Sequence, residues 1–116
     1  MDIFKNLTSL DKRRAECNRI ITKHPERIPV VVCKGHNDID LPDIDKHKFL
    51  VPKDMTIGQF VYIIRKRIKL DSNQALFVLI NNTLHPTNKS LDDIYMDHKD
   101  EDGYLYIIYS SENTFG

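Results

Sequence analysis

The histidines, cysteines and acidic residues are the side chains of this sequence whose types are suited to catalysis or metal binding. The five histidines do not have the spacing of metal ligands; they are His24, His36, His47, His85 and His98. Cys17 and Cys33 form no CxxC pair and are too few for a disulfide framework. The sequence contains no nucleophile motif, phosphate-binding loop or catalytic carboxylate pair. We therefore predict no enzyme activity, no metal and no cofactor.

The last residue, Gly116, is suited to chemistry as a substrate instead of as a catalyst. Adenylation and thioester transfer need an exposed α-carboxylate on a thin chain, and glycine offers an unhindered acyl carbon because it has no Cβ. Thr114 and Phe115 precede it in an otherwise polar tail, and Phe115 gives a processing enzyme an apolar side chain to bind. Taken alone, the tail favours the alternative, a frayed terminus that happens to end in glycine.

Length and charge limit the class of protein. With 116 residues the chain suits one domain, and 41% hydrophobic residues predict a packed core. Lysine and arginine number 17, as do aspartate and glutamate, so bulk charge argues against nucleic-acid binding. There is no apolar run of about 20 residues that would span a bilayer, and no secretory signal. We expect a cytoplasmic protein that is monomeric in solution.

Periodicity predicts helical segments and then a strand in the first third of the chain. Residues 3–24 have helical spacing, with a separate turn near Leu7 and a cap at Thr8 or Ser9. The β-branched run 28–33 predicts a buried strand, with Pro29 at its start or on an edge. Two groups of charged side chains are expected to form solvated faces. The basic face, for which contact with acidic partners is the alternative, consists of Lys12, Arg13, Arg19 and Lys23. The acidic face near the last turns consists of Asp92, Asp93, Asp97, Asp100 and Asp102.

Residues 56–68 give the clearest helix signal. Thr56 and Gln59 form a capping box, and Met55 and Phe60 form the matching hydrophobic staple. Further strands are predicted at 47–52, 75–80 and 104–109, the last of them central, with a tight turn at 81–82 and a short helix from Ser90.

This order of elements predicts an α+β fold, the ubiquitin-like β-grasp, in which one long helix crosses a four-stranded mixed sheet. Two additional helices precede it. The predicted organisation is an N-terminal helical extension at 1–25, the β-grasp at 26–110 and a flexible C-terminal tail at 111–116.

Short sequence motifs occur in the order and spacing that are typical of one protein family. They are KRRAE at 12–16, RIPV at 27–30, KFLVP at 48–52, GQF at 58–60, IRKRI at 64–68, NNT at 81–83, HKD at 98–100, YLY at 104–106 and ENTFG at 112–116. Together they closely resemble the autophagy ubiquitin-like modifiers, the group of GABA-receptor-associated proteins and microtubule-associated light-chain proteins. The resemblance covers nearly the whole chain from about Leu10 onward.

The resemblance implies that Gly116 is conjugated to phosphatidylethanolamine by an E1-like and an E2-like enzyme. It also implies recognition of Thr114 and Phe115 by processing enzymes and delipidation by a cysteine protease. The lipidated protein would act on autophagosome and vacuolar membranes in membrane growth and in recruiting cargo receptors and adaptors, with microtubules as a further partner. A non-conjugated binding module for trafficking or microtubules remains an alternative. A β-grasp sulfur carrier is disfavoured, because such carriers usually end in Gly-Gly.

The resemblance further implies a groove for aromatic-x-x-aliphatic peptides along strand 47–52, which we expect to be an edge because Pro52 blocks its extension. The aromatic pocket maps to Glu16, Ile20, Pro29, Val31, Lys48, Leu50 and Tyr104. The aliphatic pocket maps to Phe49, Val51, Pro52, Met55, Phe60 and Ile63. Arg27 belongs to the same groove, and Lys46, Lys48 and Arg67 are expected to attract acidic residues before the motif. For Val51 and Phe60, an ordinary core position is the alternative.

The sequence departs from the family pattern at several positions. Phe49 stands where tyrosine is usual, Tyr104 where phenylalanine is usual and His85 where proline is common. The stretch 33–40 is longer than usual and lacks the family's glutamate-lysine pair. Most family members carry residues after the glycine at which this sequence ends.

Overall fold

The computed structural model describes residues 3–36 and 38–112, which form a mixed sheet with helices on both faces. The described helices are α1 (Ile3–Leu7), α2 (Leu10–Lys23), α3 (Ile57–Arg67) and α4 (Leu91–His98). The described strands are β1 (Arg27–Lys34), β2 (Lys48–Pro52), β3 (Phe77–Leu79) and β4 (Leu105–Ser110). The predicted order of elements is confirmed, including the break between the two N-terminal helices.

The strand order is β2-β1-β4-β3, which places β4 in the interior, as predicted, and β2 at an edge. β1 runs parallel to β4 and antiparallel to β2, and β3 runs antiparallel to β4. A parallel central pair between antiparallel outer strands, crossed by one helix, is the β-grasp arrangement. The predicted fold class is therefore confirmed.

One face of the sheet packs against α3 in an apolar core. Ile28, Val30 and Val32 alternate along β1 and pack with Phe60 and Ile64 of α3; each of the five is at most 1% exposed. The helix begins as predicted, because the Thr56 side chain accepts from the Gln59 amide and the Gln59 side chain accepts from the Thr56 amide.

The opposite face packs against α1 and α2, and here the prediction of solvated charges is wrong for two residues. Arg13 and Asp102 are only 7% and 2% exposed, and Arg13 Nε lies 2.9 Å from Asp102 Oδ2. The Tyr106 hydroxyl and the Tyr104 amide also donate to this carboxylate. Burial of both charges is tolerated because each is paired and hydrogen-bonded. The predicted acidic face at 92–102 is therefore not uniformly solvated, because Asp102 is buried.

Pro29 was expected at a strand start or an edge, but it lies inside β1, which has neighbours on both sides. The Val32 amide donates to the His47 carbonyl of the β2 side. By alternation, the nitrogen of Pro29 points towards β4. Pairing with β4 begins only at Val30, so the missing N–H of Pro29 removes no ladder hydrogen bond.

The third strand is shorter than the predicted segment 75–80, because regular pairing covers only Phe77–Leu79. Ile80 instead forms an isolated bridge with Thr83. Between them, Asn81 and Asn82 have φ values of 55° and 60°, which confirms the predicted tight turn of asparagines in left-handed conformation. The last strand begins and ends one position later than the predicted segment 104–109, at Leu105 and Ser110.

Candidate peptide-binding groove and C-terminal tail

The outer side of β2 is an open edge in the part of the chain that the structure describes, since β2 pairs there only with β1. Val32 and His47 are hydrogen-bonded across the pair, so alternation points the backbone groups of Lys48 and Leu50 outwards. Arg27 Nη1 reaches over this edge to the Leu50 carbonyl at 3.3 Å. An extended peptide can add to this edge as a further strand, with its amide replacing Arg27 at the Leu50 carbonyl.

The structure brings together the residues predicted for the aromatic pocket. They come from three elements and the residue before β4: Glu16 and Ile20 from α2, Pro29 and Val31 from β1, Lys48 and Leu50 from β2, and Tyr104. Pro29, Val31 and Tyr104 are buried and form a floor, whereas the others are half-buried or exposed walls.

Glu16 organises the polar side of this pocket. Its Oε1 lies 2.7 Å from Lys48 Nζ and also accepts a hydrogen bond from the Tyr104 hydroxyl. Partial burial alone would raise the pKa of Glu16, but these two hydrogen bonds outweigh it and hold the pKa below its ordinary value. Burial and the neighbouring carboxylate raise the pKa of Tyr104, so its hydroxyl stays a donor.

Phe4 of α1 is a neighbour of this pocket that sequence reasoning missed. Its ring stands edge-on to Tyr104, with centroids 5.6 Å apart, and Lys48 Nζ lies 3.9 Å from its centroid. A lone aromatic in a five-residue helix gives no periodic signal, so this contact was not predictable from spacing.

The predicted aliphatic pocket lies on the other face of β2. Val51 and Phe60 are only 4% and 1% exposed, which confirms the alternative that they are core residues. The Phe49 ring stands edge-on to Phe60 with centroids 5.7 Å apart, so Phe60 supports a half-buried residue of the pocket from below. The remaining predicted members are half-buried; they are Phe49, Pro52, Met55 and Ile63.

An open groove of about 870 Å³ continues this pocket along α3. Pro52, Met55 and Ile63 line it together with Gln59 and with Tyr62, whose side chain is 58% exposed. Gln59 and Tyr62 were not predicted as site residues. Their signal was available, since they are spaced i, i+3 on the side of α3 next to Ile63.

Two of the three basic residues predicted to attract acidic peptides, Lys46 and Arg67, lie around Phe49, whereas Lys48 lies at Glu16 on the other face. Lys46 Nζ is 5.1 Å and the Arg67 guanidinium carbon 5.6 Å from the centroid of the Phe49 ring. Arg67 Nε also pairs with Asp45 at 2.9 Å, so part of its charge is already compensated. These charges are exposed, and any attraction for an acidic peptide is therefore sensitive to salt.

The predicted conjugation residues Thr114, Phe115 and Gly116 lie outside the described residues. The structure does describe where the tail leaves the sheet, at Ser110 and Ser111. Among residues 3–36 and 38–112, no three His, Cys, Asp or Glu side chains are placed to hold a metal ion. Within the same ranges, no helix is both long and apolar enough to cross a membrane.

Comparison with known proteins identifies the family. The family model described as "Autophagy protein Atg8 ubiquitin like" matches residues 12–116. The chain belongs to the Atg8 family. Proteins of this family are ubiquitin-like modifiers of autophagy, and the predicted function is confirmed at that level. The family also implies the autophagy conjugation machinery and autophagy receptors as the classes of partner.

Individual Atg8 proteins are similar over nearly their full length. Autophagy-related protein 8b of Arabidopsis thaliana is 58% identical over 113 residues, which are 97% of this chain and 92% of that protein. Autophagy-related protein 8 of Kluyveromyces lactis is 55% identical over 113 residues, 97% of this chain and 90% of that one. The crystal structure of Trypanosoma brucei ATG8 has a TM-score of 0.89 at 41% identity, covering 100% and 99% of the two chains.

Proposed function

We propose that this Atg8-family modifier is conjugated through Gly116 to phosphatidylethanolamine and that its β2 edge recruits receptors and adaptors carrying aromatic-x-x-aliphatic motifs. E1-like and E2-like enzymes attach the lipid, and a cysteine protease removes it. The protein is cytoplasmic before conjugation and resides on autophagosome and vacuolar membranes afterwards. In this proposal residues 1–25 are a helical extension, 26–110 the β-grasp and 111–116 the conjugation tail.

The observation that carries the binding proposal is the open edge of β2 between two pockets of similar construction. One pocket lies towards α2 and the other towards α3, and in each a buried floor supports half-buried walls. Successive side chains of a strand point to opposite faces. An added strand therefore presents its aromatic residue to one pocket and its aliphatic residue, three positions later, to the other.

The buried surface of such a peptide is small, so we expect micromolar binding, about −8 kcal/mol. Lys46, Lys48 and Arg67 favour acidic residues before the aromatic one. The gain from those residues fades as salt rises, because the side chains of Lys48 and Arg67 are 44% and 38% exposed.

Titration of one acidic aromatic-x-x-aliphatic peptide, followed by amide chemical shifts, tests the groove. Leu50→Ala removes a pocket wall and is expected to abolish most binding, whereas Lys48→Ala weakens it modestly and flattens the salt dependence. Lys53→Ala, an exposed lysine just after β2, serves as the charge control. Normal binding by Leu50→Ala, or shifts centred on 92–102, would refute the groove assignment.

Conjugation is tested with the cognate E1-like and E2-like enzymes, ATP and liposomes containing phosphatidylethanolamine. The unchanged chain is expected to give a lipid-shifted band. Gly116→Ala is expected to abolish or severely slow the shift and leave the thermal midpoint and peptide binding unchanged, because a Cβ hinders the acyl carbon. A chain that binds peptides but is never lipidated supports instead the non-conjugated trafficking or microtubule adaptor.

A further inference from the structure

The loop after β1 wraps around the end of β4, from which the tail departs. The Gly35 amide donates to the Tyr109 carbonyl at 2.7 Å, and the Tyr109 hydroxyl donates to the Pro42 carbonyl at 2.7 Å. Lys34 Nζ ties the same loop together through the Leu41 carbonyl at 3.1 Å. This is the stretch that we expected from the sequence to be longer than the family pattern.

The Asp38 carboxylate joins this loop to the root of the tail. Its Oδ2 accepts from the Ser111 amide at 2.6 Å, from the Ser111 hydroxyl at 2.8 Å and from the Ser110 hydroxyl at 3.3 Å. Its Oδ1 accepts from the amides of Asp40 and Leu41 at 2.9 and 3.1 Å. Oδ2 thus binds the root of the tail, whereas Oδ1 binds amides within the loop.

The electrostatics of this carboxylate agree with a persistent contact. Burial alone would raise the pKa of Asp38, but the hydrogen bonds from Ser111, Leu41 and Asp40 outweigh it and lower the pKa to about 2. At neutral pH the group is therefore charged and accepts charge-assisted hydrogen bonds, which are stronger than neutral ones.

We propose that Asp38 is a positioning residue for the conjugation reaction, holding the root of the tail at Ser111 so that an enzyme that takes Gly116 has fewer free residues to order. This inference rests on the proposed conjugation through Gly116. Asp38 itself touches no reacting atom. It acts through Ser111, whose amide and hydroxyl it binds.

The physical reason is the entropy of the tail. The sheet holds the chain up to Ser110, which pairs with Phe77. The Glu112 amide in turn donates to the Ser110 hydroxyl at 3.1 Å, so the first tail residues are tied back to the sheet. An enzyme that grips both the folded body and the terminal glycine must order every free residue between them. Holding one backbone residue beforehand saves about a tenfold penalty in binding.

The test measures thioester formation on the cognate E1-like enzyme with ATP, as a function of the concentration of the modifier. For Asp38→Ala we expect KM to rise about tenfold and kcat to change by less than about twofold. Ser111→Ala leaves the bonds of Asp38 to the loop amides in place, and we expect about a threefold rise in KM.

Asp40→Ala is the matched control, because it removes an exposed carboxylate from the same loop but keeps the amide that donates to Asp38. Its KM is expected to equal that of the unchanged chain. Thermal midpoint and peptide binding are recorded for every variant. A merely structural role of Asp38 would change these and leave the Ser111→Ala KM unaltered, which would overturn the proposal.

The two proposals fail in different ways. If the unchanged chain forms no thioester, conjugation through Gly116 is refuted and the role of Asp38 falls with it. If the unchanged chain is loaded and both Asp38→Ala and Ser111→Ala are loaded with the same KM, only the positioning role is refuted. A rise in KM for both variants, with Asp40→Ala unaffected, supports it.

Discussion

The two faces of the sheet are stabilised by different means. Towards α3 the contacts are apolar, and the core there consists of aliphatic and aromatic side chains such as Ile64, Phe60 and Leu105. Towards α1 and α2 the smaller cluster of Cys17, Val31, Tyr104 and Tyr106 is bordered by charged groups that bind one another.

This difference shows which contacts of the fold depend on particular residues. Apolar burial is non-directional, so the α3 face needs only residues of suitable size and spacing. A buried polar network needs each partner in place, because removing one leaves the other unpaired in a low dielectric. The position of the N-terminal helices on the sheet therefore depends on a few particular pairs.

The largest expected effect is on the α3 face. Phe60→Ala should lower the free energy of unfolding by about 3–5 kcal/mol, because it removes a fully buried ring and leaves a cavity. Urea denaturation measures this. Tyr62→Ala, two positions further along the helix and exposed, is the control and should cost less than about 1 kcal/mol. Equal losses for both would mean that the α3 face is not the dominant core.

On the opposite face, Arg13→Ala should cost about 3 kcal/mol, because it leaves the Asp102 carboxylate buried without its cation. Arg14→Ala removes a neighbouring, exposed arginine and should cost less than about 1 kcal/mol. The combination of Arg13→Met and Asp102→Asn removes both charges, keeps an oxygen that accepts from the Tyr104 amide and leaves the Tyr106 hydroxyl a partner, so it should recover most of the loss. Failure to recover would indicate that this face depends on more than unpaired charge.

Tyr104→Phe removes one hydroxyl and should lower the free energy of unfolding by about 1 kcal/mol, the usual value of a single hydrogen bond. Glu16 keeps its bond to Lys48, so the loss stays small. Tyr62→Phe, where the hydroxyl lies on an exposed ring, should be neutral in the same urea assay. A neutral Tyr104→Phe would show that the polar contacts of this face add little.

The smallest effect concerns pH. The folded state lowers the pKa of Glu16 below 4.5, so the stability it contributes is present above that pH and is lost as pH falls below it. The Glu16 side chain is 31% exposed, so we expect Glu16→Gln to cost only about 0.5 kcal/mol at pH 7. That difference should shrink as pH falls through the lowered pKa of Glu16. Ile64→Val on the other face should keep the same cost across this pH range in urea titrations.

The α3 face was predictable from sequence because its signals are local. The capping box of Thr56 and Gln59, the apolar stripe of the helix and the β-branched run of β1 all lie within short windows. The same holds for the turn at Asn81 and Asn82, where the residue type itself favours the observed backbone.

The other face was not predictable in this way. Arg13 and Asp102 are 89 residues apart, and each, viewed in its own segment, has the composition of a solvated surface. The contacts of Phe4 and of Asp38 were missed for the same reason, since neither belongs to a periodic pattern. In the groove, the resemblance to the family predicted which residues form the pocket walls. That Val51 and Phe60 are buried beneath them could be learned only from the structure.

The positive charges along the β2 edge have a consequence for self-association. An open strand edge is a template on which a second copy of the same chain can add its own edge and begin an aggregate. Here such pairing would bring Arg27, Lys46 and Lys48 of both copies to one seam, where like charges repel. The same positive charges attract an acidic peptide. The edge thus discriminates between a copy of itself and an acidic partner by charge, although both would use the same backbone hydrogen bonds.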